Sequence, residues 1–391
     1  MGTERVVKTG DIKGPAGVPH ASLYEVITGL IEEKGPITFA EFMDAALYHP
    51  GGGYYVTECS RWGAEGDYVT NLDISPVFAR MLATQLHEMW TVLDRPSPFH
   101  LVEAGAGRGL LTEVVLETLA ERYPACFDTV RSVLVEKNPH LWKERSERTR
   151  WCGDIEEVGG PVTGCIYSLE LLDSMPFHRV VRREDGLKEV YTATDGEGGL
   201  IDVEGEPSTD ELAGYFEELD LQLHIGQQAE VGLAAREWIQ RAGSLLDRGF
   251  VITVDYGMPA RLLYAEGMRG TLMCHYRHTL NDNPYHAVGM QDITCHVDFT
   301  AIRNAGLRAG LEPTGYTNQR NFLLGLGVLD ELEEVGTPSL KDCDAIARNQ
   351  GIKDLIMPGG VGDKMKVFIQ HKGVDVPALK GFSFKDMKYC L

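Results

Sequence analysis

The chain has 391 residues, 37 of them basic and 58 acidic, which gives a net charge of −21 at pH 7. With 43% hydrophobic residues it can bury a full core, and its length suggests two or three structural units or one large domain with insertions. The acidic balance argues against a general nucleic-acid or anionic-membrane binder, because both need clustered lysine and arginine.

Membrane insertion and export are not expected from the sequence. No apolar run reaches the roughly 18 residues of a membrane span, and the N-terminus lacks a charged-then-apolar signal pattern. Eight cysteines are scattered between Cys59 and Cys390 without a CxxC pair, which favours free thiols in a reducing compartment over a zinc site or a disulfide framework. We therefore expect a cytoplasmic, bacterial-type enzyme.

The N-terminal part of the chain is predicted to be helical and rich in loops. Apolar residues recur with helical spacing from Ser22 to Gly35, and again after a capping box formed by Thr38 and Glu41. A third helix is predicted over 76–93.

Beyond this part, strands and helices alternate. Strands are predicted over 99–107, 130–139, 164–173 and 249–257. Helices are predicted over 110–121 and about 139–148. This alternation predicts an α/β fold with a doubly wound parallel sheet, whose ligands bind at the carboxyl ends of the strands.

Two stretches interrupt the alternation and are predicted to build walls around a site. Residues 177–205 contain two strand-like runs about a Glu-Asp-Gly turn, which indicates an antiparallel hairpin, and residues 258–300 are polar without helical period. The sequence therefore predicts four units. Residues 1–95 form an N-terminal cover and residues 96–176 the first half of the core. Residues 177–230 form an inserted hairpin and helix subdomain, and residues 231–391 the second half of the core, with the substrate-side loop and a C-terminal strand.

The motif most informative about chemistry is EAGAGRG, at 103–109. It comes directly after a predicted strand and opens a helix, and Gly105, Gly107 and Gly109 would allow a tight turn and close approach of a ligand to the backbone. A tight turn without a ligand is the simpler interpretation. Glu136, at the end of the second strand, lies where a ribose-binding acid is expected, which favours a nucleotide-like cofactor.

Three details favour S-adenosylmethionine (SAM) over a nicotinamide. The glycine spacing is G-x-G-x-G, not the G-x-G-x-x-G that binds a pyrophosphate. Glu103 precedes the first glycine by two positions, where a carboxylate suits an ammonium group. Asp154 follows the second strand–helix unit, where it could accept a hydrogen bond from an adenine amino group. A nicotinamide oxidoreductase remains the alternative at this point.

Several ordered stretches resemble one known family. They include GGGYY, GDYVT, EAGAGRG, LVEKNP, ELLDSMPFHR, GTLMCHYRH and GMQDITCHVDF, between about Gly35 and Gly327. The chain is similar to the MidA-type family of class I SAM-dependent methyltransferases, whose mitochondrial members assist respiratory complex I assembly. The resemblance implies a seven-stranded, Rossmann-like sheet, SAM as methyl donor and an arginine of a respiratory-complex subunit as acceptor.

The resemblance also implies roles for individual residues. Gly66, Asp67 and Thr70 would fold over the cofactor, with an ordinary turn as the alternative. Glu170 and Asp173, at the end of the fourth strand, could bind an arginine guanidinium as a pair of carboxylates, although either could simply cap the next helix.

His278, shared with the family, would line the acceptor cleft or satisfy a loop carbonyl. No metal site is expected, because neither cysteine nor acid completes a ligand set with the neighbouring histidines. The leading hypothesis is a SAM-dependent methyltransferase acting on a protein side chain, most simply arginine. A non-catalytic assembly factor that keeps a SAM pocket is the alternative, and the sequence leaves the oligomeric state undetermined.

Overall fold

The computed structural model describes residues 21–57, 76–143, 147–333 and 343–391. The α-helices of the described residues are α1 (Ala21–Lys34), α2 (Phe39–Tyr48), α3 (Val77–Val92), α4 (Leu110–Arg122), α5 (Pro124–Phe127), α6 (Asp210–Glu218), α7 (Leu233–Leu245), α8 (Ala260–Leu263), α9 (Phe299–Arg308), α10 (Gln319–Leu326), α11 (Cys343–Ile356) and α12 (Val361–Lys364). The strands are β1 (Ile37–Thr38), β2 (Phe99–Ala104), β3 (Val130–Val135), β4 (Thr149–Cys152), β5 (Val162–Leu169), β6 (His178–Arg183), β7 (Gly186–Thr194), β8 (Leu200–Gly205), β9 (Gln228–Val231), β10 (Leu246–Met258), β11 (Met273–Tyr276), β12 (Thr279–Asn281), β13 (Asp292–Thr294), β14 (Val297–Asp298), β15 (Glu312–Asn318) and β16 (Met365–Lys372).

The main sheet contains seven strands in the order β15-β16-β10-β5-β2-β3-β4, with the short β14 paired to the end of β10. The strands from β10 to β4 run parallel, and β16 is antiparallel to both of its neighbours. The predicted doubly wound sheet of seven strands is therefore confirmed. Because β2, β3 and β5 run parallel, their carboxyl ends lie at one edge, where such sheets bind ligands.

Side chains alternate between two cores along the buried strands. In β10, Phe250 and Ile252 pack with α3, α4, α10 and α11, whereas Val251 points to the opposite core with α7 and α9. Strands buried on both faces read as continuous apolar runs, which is why they were recognisable in the sequence.

A second sheet has the order β1-β7-β6-β9, with β8 beside β7. The predicted hairpin over 177–205 is confirmed, since β6 and β7 are antiparallel and Arg183 pairs with Gly186 across the Glu184-Asp185 turn. This sheet also includes β1, because Ile37 pairs with Thr192. Strands from the predicted N-terminal cover and from the predicted insertion thus share one sheet, and the domain boundaries given above stay a prediction.

One predicted element is wrong. In place of a helix over 139–148, residues Pro139–Leu141 form one short 3-10 turn, and β4 begins at Thr149. The backbone is extended at Trp142, with φ −68° and ψ 121°, which ends the turn, and the Trp142 indole N–H donates to the Glu136 carbonyl at 3.0 Å. The β4 strand was not predicted, because four residues at a sheet edge carry too little periodic signal.

The N-terminal helices follow their sequence signals. The Thr38 hydroxyl accepts from the Glu41 amide and the Glu41 carboxylate accepts from the Thr38 amide, so the predicted capping box of α2 is confirmed. The buried face of α2, which includes Phe39 and Phe42, packs against Phe177 and Tyr285. Helix α2 thereby connects the second sheet to the carboxyl ends of the main sheet.

Candidate functional site

The glycine motif forms a turn that returns over the end of β3. The amides of Gly105 and Ala106 both donate to the Val135 carbonyl, at 2.9 and 3.1 Å. Backbone φ is +69° at Gly105, +51° at Gly107 and +71° at Gly109, a region that favours glycine. The turn ends at Gly109, the N-cap residue of α4.

The glycines of this turn serve different purposes. A Cβ on Gly105 would lie 2.8 Å from Leu171 Cδ1, and one on Gly109 would lie 2.9 Å from Leu134 Cδ1. Gly105 and Gly107 line a cavity at the sheet edge, whereas Gly109 packs against β3 and β4 behind it. Of the three predicted cofactor-binding glycines, the structure places two at the cavity wall.

The cavity has a volume of about 370 Å³ and lies at the carboxyl ends of β2, β3 and β5. That volume is within the range of about 300–1,000 Å³ typical of small-molecule sites. Six acidic and three basic side chains line it. Four of the six acids are residues predicted from the sequence: Glu103, Glu136, Asp154 and Glu170.

Glu103 is the most deeply buried of these acids, with 4% of its surface exposed. Its Oε2 accepts hydrogen bonds from the amide of Thr112, at 3.1 Å, and from the Thr112 hydroxyl, and that hydroxyl contacts the Tyr167 hydroxyl at 2.5 Å. Burial raises the pKa of Glu103 to about 7, partly opposed by the bonds from Thr112. A ligand cation beside Glu103 would favour its ionised form.

Glu136 is held at the mouth of the glycine turn by two backbone amides. Its Oε2 accepts from Gly107 at 2.9 Å and its Oε1 accepts from Asn138 at 2.8 Å. Burial raises the pKa of Glu136, and these amides oppose that shift. Each carboxylate oxygen keeps a second lone pair, so the group can also accept from two neighbouring hydroxyls of a ribose.

Asp154 lies at the opposite end of the cavity, where it caps the short 3-10 helix Ile155–Val158. Its Oδ1 accepts from the Glu156 amide at 3.0 Å and forms an ion pair with the Arg241 guanidinium. Trp238 and Glu237 of α7 line the same end. An aromatic wall beside an acceptor carboxylate suits a flat heterocycle that carries an amino group.

These residues fit SAM. The cofactor presents an ammonium, a ribose diol and an adenine amino group, and all three donate hydrogen bonds. Three acceptor carboxylates line the cavity in the corresponding order along the sheet edge, Glu103 at the end of β2, Glu136 after β3 and Asp154 after β4, and Gly105 and Gly107 present bare backbone in the wall.

Glu170 lines the cavity immediately after β5. Its backbone adopts φ +52°, a left-handed conformation that is uncommon for a residue with a Cβ. Its amide donates to the Val254 carbonyl at 3.0 Å, which continues the pairing of β5 with β10.

Asp173 is not among the residues that line the cavity, in contrast to Glu170. It is buried behind the wall, and burial raises its pKa, with further contributions from Asp255, Asp292 and Glu170. The structure therefore brings four carboxyl groups close together beside the cavity, only one of which is at its surface.

The sequence did not predict that α2 and the turn after it would line the cavity. Tyr48 and Tyr55 stack with ring centroids 5.5 Å apart, and both line the cavity. The Tyr48 hydroxyl donates to the Ser174 carbonyl at 2.9 Å, and the Tyr55 hydroxyl donates to Asp292 Oδ1 at 2.7 Å. The GGGYY and GMQDITCHVDF motifs, which contain Tyr55 and Asp292, were the signals available for these residues.

A family model described as "Putative S-adenosyl-L-methionine-dependent methyltransferase" matches residues 81–317. The chain belongs to this family. The match covers more than half of the sequence and includes the glycine turn and every carboxylate discussed above. The predicted MidA-type relationship, the methyltransferase activity and the SAM cofactor are confirmed.

Relatives of this methyltransferase are found in animals and bacteria. The chain is 28% identical over 385 residues to "Protein arginine methyltransferase NDUFAF7, mitochondrial" of Danio rerio, with 89% of this chain and 86% of the relative covered. It is 25% identical over 382 residues to the protein of the same name in Homo sapiens, with 90% and 84% covered.

A crystal structure of a Burkholderia thailandensis superfamily member bound to S-adenosyl-homocysteine has a TM-score of 0.85 and 28% identity to this methyltransferase, covering 96% of this chain and 100% of that one. A second crystal structure of a protein from the same organism, solved in native form, has a TM-score of 0.83 and 29% identity. Each of the two similarities covers 96% of this chain.

The remaining predicted residues lie elsewhere. Gly66, Asp67 and Thr70 are outside the described residues. His278 is exposed in the two-residue turn between β11 and β12, where Arg277 and His278 both have positive φ, and it is not among the residues that line the cavity. Its acceptor-side role stays a prediction.

The described ranges contain neither a membrane-spanning helix nor a cluster of metal ligands. No helix there combines the length and apolar character needed to cross a membrane. No group of three or more His, Cys, Asp or Glu side chains among those residues has an arrangement that could hold a metal ion.

Proposed function

We propose that this methyltransferase modifies an arginine side chain of a protein partner. The observation that carries the proposal is the position of Glu170, which lines the SAM cavity in front of the buried carboxyl groups of Asp173, Asp255 and Asp292. A guanidinium is cationic at any ordinary pH and binds carboxylates through a planar fork of donors. The similarity to relatives named as protein arginine methyltransferases supports the same acceptor.

Bound SAM supplies an electrophilic methyl group on a sulfonium. The residues of the chain would do the positioning: Glu103, Glu136 and Asp154 bind the cofactor, while Glu170 binds the guanidinium and orients one nitrogen toward the cavity. When that nitrogen forms its bond to carbon and the carbon–sulfur bond breaks, the nitrogen must lose a proton, and the Glu170 carboxylate is the acceptor at the cavity wall. Alignment and exclusion of water supply most of the rate.

Tyr48 and Tyr55 would complete the acceptor channel. Their stacked rings line the cavity between the cofactor acids and Asp292, and Lys137 Nζ lies 4.4 Å from the centroid of the Tyr48 ring. Tyrosine ring faces attract cations, as the contact of Lys137 with Tyr48 illustrates, so an arginine entering from the solvent would pass along a favourable aromatic surface.

The role of Glu170 is tested by Glu170→Gln, which keeps the shape of the side chain and removes its charge. We expect methyl transfer to fall at least 100-fold, while the affinity for S-adenosylhomocysteine, measured by isothermal titration calorimetry, changes less than twofold. Glu184→Gln, at the exposed turn between β6 and β7, is the control and should leave both unchanged. A large loss of S-adenosylhomocysteine affinity in Glu170→Gln would make Glu170 a cofactor residue instead.

We further propose a respiratory-complex subunit as the partner, on the basis of the MidA-type relationship. Mass spectrometry of proteins that co-purify with the enzyme tests this, because a substrate recovered from cells that lack the enzyme should accept a methyl group from SAM in vitro. Partners that co-purify without ever accepting a methyl group would support the alternative, an assembly factor that binds without catalysis.

We also propose that the enzyme works in a reducing compartment, and the cytoplasm is our expectation. The six cysteines whose side chains the structure describes are free thiols, and five of them are buried. Cell fractionation with an antibody to the protein tests this directly, and recovery with a membrane or oxidising compartment would contradict it.

A further inference from the structure

Glu170 lines the cavity from an unusual backbone conformation. Residue 170 follows β5 directly and has φ +52°, whereas residues with a Cβ avoid that region unless the surrounding structure holds them in it. The side chain that follows, Leu171, is in contact range of the glycine turn, since a Cβ on Gly105 would meet it. The turn at Glu170 therefore sets the positions of the Glu170 and Leu171 side chains, which both line the cavity.

Asp255 supplies the contacts that hold this turn. It lies near the end of β10, beside the end of β5, and is fully buried. Its Oδ2 accepts from the amides of Leu172 at 2.8 Å, Leu171 at 3.2 Å and Asp173 at 3.4 Å, and its Oδ1 accepts from its neighbour Tyr256 at 2.8 Å. Three successive amides converge on one oxygen, which an extended chain could not achieve.

The carboxylate thus replaces the strand partner that the chain loses at the end of β5. The Glu170 amide still pairs with the Val254 carbonyl, and the next three amides pair with the side chain of the residue after Val254. A neutral side chain could not do this equally well, because an amide in its place would direct an N–H toward a backbone N–H. Asp255 does not line the cavity, so it cannot touch a substrate or cofactor there.

We infer that Asp255 is a positioning residue for methyl transfer, which acts by holding Glu170 in its left-handed conformation and aiming its carboxylate at the acceptor. This inference rests on the proposed role of Glu170. It predicts that Asp255 matters for turnover only while Glu170 carries its carboxylate, and that it matters little for cofactor binding.

A double-mutant cycle of Asp255→Asn and Glu170→Gln tests the inference. We expect Asp255→Asn to lower kcat at least tenfold and to change the Kd of S-adenosylhomocysteine less than threefold. The double variant should turn over as slowly as Glu170→Gln alone, because the second change has nothing left to disturb. Losses that multiply, or wild-type turnover in Asp255→Asn, would overturn the inference while leaving the proposed function intact.

Asp298→Asn is a matched control for the loss of a buried carboxylate. Asp298 is also buried and accepts two backbone amides, those of Thr300 and Ala301, at the start of α9. Its replacement should lower the melting temperature without the kcat loss. If Asp298→Asn lowers kcat as much as Asp255→Asn does, the effect is general destabilisation and the inference is wrong.

A crystal structure of Asp255→Asn bound to S-adenosylhomocysteine gives a readout that does not depend on turnover. We expect Glu170 to leave the left-handed region and its carboxyl group to move from the cavity wall. An unchanged φ of about +52° at residue 170 would overturn the inference even if no acceptor protein is in hand. Asp255→Ser keeps an acceptor oxygen in a smaller side chain and serves for the same measurements if Asp255→Asn does not fold. In contrast, wild-type turnover in Glu170→Gln would overturn the proposed role of Glu170 itself.

Discussion

The carboxylates of this site differ in their surroundings. Glu103 is buried with Thr112 as its hydrogen-bond partner, Glu136 is held by two backbone amides, and Asp154 is paired with Arg241. Burial raises the pKa of Glu103 to about 7. The protonation state of Glu103 therefore changes within the working pH range.

Cofactor affinity should consequently fall as the pH decreases through 7. Below its pKa Glu103 is protonated and neutral, so binding of a ligand ammonium requires the Glu103 carboxyl to lose its proton. The affinity for the cofactor should therefore fall up to about tenfold per pH unit. We expect the Kd of S-adenosylhomocysteine, measured by calorimetry, to be about tenfold higher at pH 6 than at pH 7.5.

Glu103→Gln should remove that dependence, with weak binding at both pH values, whereas Glu117→Gln on the exposed face of α4 should preserve it. A flat pH profile in the wild-type protein would show that Glu103 does not bind the charged end of the cofactor.

The cofactor acids could be predicted from the sequence because each one lies at or just after the end of a parallel strand, and the ends of parallel strands meet. Asp173 could not be placed in the same way. It lies only three residues beyond Glu170, but the chain turns between them and directs Asp173 behind the cavity wall. That turn depends on Asp255, which is 82 residues away in the chain.

At the level of elements, the glycine turn depends on a contact that only the fold reveals. Gly105 has positive φ and faces Leu171, which belongs to the turn after a different strand. The motif was recognisable from its spacing, but its steric partner was not. The wrongly predicted helix over 139–148 has a similar origin, since neither the extended backbone at Trp142 nor its indole hydrogen bond to the Glu136 carbonyl is visible in the local apolar pattern.

Gly105→Ala should therefore weaken cofactor binding through two separable effects. The left-handed backbone costs a residue with a Cβ about 1–2 kcal/mol, and the contact with Leu171 Cδ1 at 2.8 Å adds a displacement of the cavity wall. We expect at least tenfold weaker S-adenosylhomocysteine binding by calorimetry.

Gly196→Ala isolates the backbone effect, because Gly196 also has positive φ, at +80°, but has nothing within 4 Å of its added Cβ. It should lower the melting temperature and leave binding unchanged. Leu171→Ala should recover part of the binding lost in Gly105→Ala, and no recovery would mean that the contact with Leu171 is not the cause.

For the whole molecule, charge is distributed unevenly. Between positions 184 and 220 there are thirteen acidic residues and one basic residue, so this part of the second sheet and α6 accounts for more than half of the net charge of −21. The same sheet includes β1, which leads into α2 and its cavity-lining Tyr48. The composition indicated an acidic protein, but only the strand pairing shows that the acidic segment and the helix at the cavity are connected.

Binding of the protein substrate should therefore depend on salt. An acidic surface attracts a basic partner over about 10 Å at 0.1 M salt and over much less at higher salt. We expect the KM for the partner to rise severalfold between 50 and 500 mM NaCl, with kcat nearly constant. The Kd of S-adenosylhomocysteine over the same range is the control, and a KM for the partner that does not change would contradict a role of this surface in docking.

Methylation of a protein arginine is tested by identifying the residue that receives the methyl group. Extract from cells lacking this gene would be incubated with the enzyme and tritiated SAM, and the labelled protein would be hydrolysed to amino acids. We expect label in methylarginine with the wild-type enzyme and none with Glu170→Gln. Label in lysine, histidine or a small molecule, or no transfer by an enzyme that binds S-adenosylhomocysteine, would contradict it.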